Sequence, residues 1–77
     1  MIEIKWNKIP EYWKDYLTIE LSKKPNGILV IDPFWKKAHY FEDEEEYYKL
    51  EEKGWVYGDL FEFEIDNELE KLIKEVE

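Results

Sequence analysis

The sequence predicts an α+β domain built on a small, mainly antiparallel sheet, and three observations carry that reading. Apolar residues recur at every second position in several short stretches, the signature of half-buried strands. Two other stretches, about 43–53 and about 67–76, have the cap residues and the i, i+3, i+4 spacing of helices. Turn-forming Pro, Asn and Gly separate these segments, and there is no internal repeat or linker. The 77 residues read as one domain, 1–77. A chain of this length buries only roughly 60% of its unfolded surface, so its core is small.

Ile2, Ile4 and Trp6 alternate with Glu3 and Lys5 and predict the first strand. Pro10 suits the first position of a helical turn and Glu11 its positive end. The next segment fits two readings. Ile9, Tyr12, Trp13, Tyr16, Leu17 and Leu21 share one helical face, which would make a single helix over 10–23. The preferred reading is one short turn and then a strand, in which Leu17, Ile19 and Leu21 alternate with Thr18, Glu20 and Ser22. Thr18 and Ile19 are β-branched, lose side-chain freedom in a helix and pack well on a sheet. Lys23, Lys24, Pro25, Asn26 and Gly27 predict a turn. Ile28, Leu29, Val30 and Ile31 are apolar without alternation, as expected of a central strand covered on both faces. Asp32 and Pro33 end it, Phe34, Trp35, Lys36 and Lys37 form a loop, and residues 38–41 return as the hairpin partner.

Asp43 is expected to cap the acidic helix, with Glu46 completing a capping box. Glu44, Glu45 and Glu46 fall in its first turn and Lys49 and Lys53 come late, as the helix dipole favours; Gly54 follows as the stop. Tyr47 and Leu50 face inward. Trp55, Val56 and Tyr57 resume an extended chain, and Gly58 and Asp59 make a bulge or bend. Phe61, Phe63 and Ile65 then point one way and Glu62 and Glu64 the other. Asn67 is expected to cap the last helix, whose inward stripe is Leu69, Leu72, Ile73 and Val76. Both helices are expected on one face of the sheet.

The formal net charge is −9 and is unevenly placed. Residues 1–40 hold seven lysines against five acids, +2, while residues 41–77 hold four lysines against fifteen acids, −11. Such asymmetry disfavours direct contact with nucleic acid or an anionic membrane and favours a basic protein partner. The bland reading of the acidic half is a solvated surface that keeps a small protein soluble. The run at residues 42–46 also has a complete structural role as a good helix start. With no cysteine there is no disulfide framework and no thiolate metal site. Residues 1–8 lack the apolar core of a signal peptide, and the aliphatic run at 28–31 is far too short to span a bilayer, so the expected compartment is the cytoplasm.

The inventory for catalysis is thin: one Ser (Ser22), one Thr (Thr18), one His (His39), no Cys and no Arg. A metal site would have to combine His39 with Asp32, Glu42 or Asp43, and no ligand-spacing motif is present. The expectation is therefore a protein that is not an enzyme and holds no cofactor or metal. What remains is the geometry of charge. Glu62 and Glu64 would stand on one face of a strand about 6.6 Å apart, of the order of adjacent phosphates along a nucleic-acid backbone. If the acidic helix packs beside that strand, Glu44, Glu45, Glu51 and Glu52 extend the row. These six are the expected partner-binding residues.

A rigid row of carboxylates offers a Lys/Arg groove the contacts it would make with phosphates. The expected function is thus that of a non-enzymatic nucleic-acid mimic. It would occlude the groove of a nuclease or other nucleic-acid-binding protein, as phage inhibitors of restriction and CRISPR systems and nuclease immunity proteins do. The alternatives are a module that homodimerises through exposed aromatics, favoured by 18% aromatic content, and a small enzyme or metal protein built on His39.

Overall fold

The structure, a computed structural model, describes residues 1–23, 27–53 and 60–76. In chain order it contains β1 (Ile2–Ile4), two 3-10 turns (Trp6–Lys8 and Glu11–Trp13), β2 (Thr18–Ser22), β3 (Ile28–Asp32), β4 (Lys37–Phe41), α1 (Glu44–Glu52), β5 (Leu60–Glu64) and α2 (Asn67–Val76). The strands form one sheet in the order β1-β4-β3-β2-β5. Every neighbouring pair is antiparallel except β2 and β5, which run parallel. No helix of the described residues is long and apolar enough to cross a membrane.

β3 sits in the middle, and all five of its residues are buried. Alternate residues of a strand point to opposite faces, so a strand buried throughout needs a cover on each side. The register supplies two sets. Leu21, Leu29 and Tyr40 stand side by side on one face, followed by Ile4, Ile19, Ile31 and Ala38. Leu69 and Ile73 of α2, with Ile9 and Trp13, cover them. On the opposite face Ile28, Val30 and Phe41 pack under Tyr47 and Leu50 of α1. The helices therefore lie on opposite faces, not on the one face the sequence suggested. Neither helical stripe carries information about which side of the sheet it will meet.

Several local readings hold. Residues 18–22 are a strand preceded by one short turn, and the β3–β4 hairpin and both helices form where expected. Asp32 Oδ1 accepts from the N–H groups of Phe34 (3.0 Å) and Trp35 (3.2 Å), which folds the hairpin loop back. Lys23 N–H donates to Gly27 O (3.0 Å) across the start of the β2–β3 hairpin. Gly27 has φ +147°, and a Cβ there would overlap Tyr40 Oη, so only glycine fits. Lys24, Pro25, Asn26, Gly54, the extended chain at 55–57 and the bend at Gly58 and Asp59 lie outside the described residues.

Three details differ. Trp6 begins a 3-10 turn instead of prolonging β1, and Lys14 Nζ sits 4.8 Å from its ring centroid. Glu46 does not close a capping box: its Oε1 accepts from the Met1 ammonium at 2.8 Å, a full charge that outcompetes a neutral backbone N–H. Asp43 still caps α1, its Oδ1 accepting from Glu45 N–H at 3.0 Å. Asp66 caps α2 in place of Asn67, its Oδ1 accepting from Leu69 N–H at 2.9 Å.

Asp66 also receives the Tyr12 hydroxyl and Trp13 Nε1 (3.3 Å), and so ties the second 3-10 turn to the start of α2. Burial pushes its carboxyl pKa up, but these donors and the Leu69 and Glu68 N–H groups together hold it below the ordinary value, and Tyr12 is pushed up to about 12. A depressed carboxylate contributes stability above its unfolded pKa, near 3.9, that is lost as pH falls through the folded value. Asp66→Ala is expected to cost about 2 kcal/mol in urea unfolding, from the lost cap and the unpaired indole N–H. The gap to wild type should narrow as pH falls through the folded value.

Candidate functional site

The face that carries α1 also carries charge. The register sets Glu3, His39, Val30, Glu20 and Glu62 side by side across the whole sheet. Glu20 and Glu62 are direct neighbours in the parallel β2–β5 ladder, where strands run about 4.8 Å apart. Glu64 stands one pair further along beside Ser22, and Glu62 and Glu64 are both exposed. The two carboxylates share one face of β5, as expected, and it is the face that carries α1. Phe61 and Phe63, on the other face, remain 45% and 36% exposed because β5 is an edge strand.

α1 brings its own acids to this edge. The Tyr47 hydroxyl lies among these acids: burial, then Glu20 and Glu51, push its pKa up. Tyr48, 48% exposed, has its pKa raised by loss of solvent and then by Glu44, Glu20, Glu62 and Glu51. A single hydroxyl that senses four carboxylates from three elements marks where the negative field converges. Of the six expected residues, Glu44, Glu51 and Glu62 gather here. Glu45 and Glu52 are likewise exposed on α1, and Glu64 lies further along β5. Among the described residues none of the six forms an ion pair with a cation, whereas Glu46, Glu70 and Glu11 each do.

Glu20 is the member that sequence reasoning missed. It is 8% exposed, and burial, then Glu62 and Glu51, push its pKa up against the opposing Tyr47 hydrogen bond. The available signal was the strand alternation, which places Glu20 on the same face as Thr18 and Ser22, beside a strand that is buried on both sides.

The groups considered for catalysis are kept apart. β3 separates His39 on β4 from Thr18 and Ser22 on β2. Thr18 Oγ1 donates to Leu17 O at 2.7 Å. His39 Nε2 lies 3.8 Å from Glu3 Oε2, and burial, with Lys37, lowers its pKa against the opposing pull of Glu3. Asp32 Oδ1 is occupied by backbone donors, and no group of three potential metal ligands occurs among the described residues.

The fold and this face define a small α+β domain with an acidic edge where a helix meets an outer strand. Compared with protein-family models, curated proteins and solved structures, the chain matches none of them.

Because the Glu20 pKa is raised in the folded state, its stabilising contribution is complete below the unfolded value near 4.3 and is lost as pH rises through the folded value. Glu20→Gln keeps an acceptor for Tyr47 and removes the charge. It is expected to melt above wild type at neutral pH, by calorimetry, with the difference vanishing near pH 4. His39→Gln should leave thermal stability at neutral pH within about 0.5 kcal/mol of wild type, by chemical denaturation.

Proposed function

We propose that this chain is a non-enzymatic binding protein that occludes the positively charged groove of a nucleic-acid-handling protein. One observation carries the reading: Glu44, Glu51, Glu62 and Glu20 converge from α1, β5 and β2 around the exposed Tyr48, with no cation paired to the first three among the described residues. Gathering like charges costs energy, and here the surface forgoes the neutralisation that other acids of the chain obtain. A basic partner would recover that energy, and the carboxylates are held on a helix and a sheet, so little order is lost on binding.

The competing reading, homodimerisation through exposed aromatics, has its own support. Phe34 and Trp35 at the β3–β4 loop are 81% and 68% exposed and stack edge to face at 5.2 Å. Salt separates the two, because an electrostatic complex weakens with ionic strength and an aromatic one tolerates it.

The test is capture of a partner from a lysate. The captured protein should bind nucleic acid, nucleic acid should compete with this chain for it, and the complex should dissociate as salt is raised. Glu44→Lys, Glu51→Lys and Glu62→Lys together should change stability by only about 1–2 kcal/mol, since all three are exposed. They should weaken binding at least about a hundredfold. A folded triple variant that binds as tightly as wild type leaves the acidic face a solvated surface.

A further inference from the structure

The outer strand β5 carries an inference that rests on the reading of the acidic face and specifies how its partner is held. β5 pairs with β2, and among the described residues no strand lies beyond it. Ile65 N–H donates to Ser22 O of β2 at 3.1 Å. The N–H and C=O of one residue leave a strand on the same side, and that side alternates along the chain. Those of Phe63 and Phe61 therefore also point to β2, and those of Glu62 and Glu64 point outward. The residues that carry charge on this edge are the ones that present their backbone to the outside.

The two faces of the edge differ. On the α1 side stand Glu62 and Glu64, with Glu20 and Glu51 behind. On the other side stand the part-exposed Phe61 and Phe63, stacked on Tyr16 at 5.9 and 5.2 Å. An added strand must match this pattern with a period of two.

We propose that the basic partner binds by strand addition: an extended segment of it pairs with the outer edge of β5, with Lys or Arg side chains over Glu62 and Glu64 and alternate apolar side chains over Phe61 and Phe63. A second copy of this chain is a poor occupant. Pairing β5 with itself brings acidic side chains to about 5 Å from one another on the α1 face, and like charges directly opposite are destabilising. Charge on an edge strand is also how sheets block self-pairing. The carboxylates that exclude a copy select a basic strand.

The test uses a capped heptapeptide alternating lysine with valine, titrated at physiological salt into isotope-labelled protein. Two controls carry N-methyl groups on the lysines or on the valines, and a third has the same composition in two blocks. The alternating peptide is expected to shift the amide signals of residues 61–65 and to slow exchange of the Glu62 and Glu64 N–H groups. One of the two methylated peptides, and the block peptide, should bind about tenfold more weakly or worse. On the protein, Glu64→Pro removes an outward N–H and leaves the β2 ladder intact, as proline on an edge permits. It should lose about tenfold more affinity than Glu64→Gln, which loses only the charge. Equal binding by all four peptides, or equal losses for the two variants, overturns strand addition and leaves the acidic-face reading standing. Loss of partner binding in the triple lysine variant, with Glu64→Pro unaffected, likewise overturns strand addition alone.

Discussion

The structure depends on one constraint: β3 is buried along its whole length. A strand in that position must be covered on both faces, and its alternation assigns each neighbour to a side. Leu29 and Ile31 draw α2 to one face; Ile28 and Val30 draw α1 to the other. α1 lies over the sheet between β4 and β5 in the chain, and β5 joins beside β2 in parallel, where the other described pairs are antiparallel. Burying an aliphatic side chain stabilises by about 1.5–3 kcal/mol, so the β3 residues alone outweigh any preference expressed by a cap or a surface charge.

The acidic edge is a consequence of the same arrangement. With α1 on the Val30 face, its acids come down beside Glu20 and Glu62, which share Val30's row. Tyr47 mediates, with its ring in the core under α1 and its hydroxyl close enough to Glu20 and Glu51 for both to raise its pKa. Packing and charge conflict at Glu20, where the row requires a buried residue and the sequence supplies an acid. Local conflicts of this kind concentrate where a surface has a use beyond folding. Asp66 shows the opposite balance, since its donors outweigh its burial, and its role is accounted for by holding the second 3-10 turn to α2.

Much of this protein was legible in the residues themselves. Alternation marked Phe61, Glu62, Phe63 and Glu64 as a strand with a charged and an aromatic side, β-branching identified 18–22 as a strand, and Asp43 announced the start of α1. These are properties of a few neighbouring residues, and local sterics and hydrogen bonding determine them. Cap assignments failed where a distant group intervened, as Met1 did at Glu46 and the Tyr12–Trp13 turn did at Asp66. Only the tertiary structure decided that α1 and α2 cover opposite faces, that Glu20 is buried, and that Glu62 and Glu20 of the sheet join Glu44 and Glu51 of α1 near Tyr48. The reason is physical. A period of two or of 3.6 says which residues share a side, whereas which sides meet depends on strand order and register, set by burial between residues far apart in the chain.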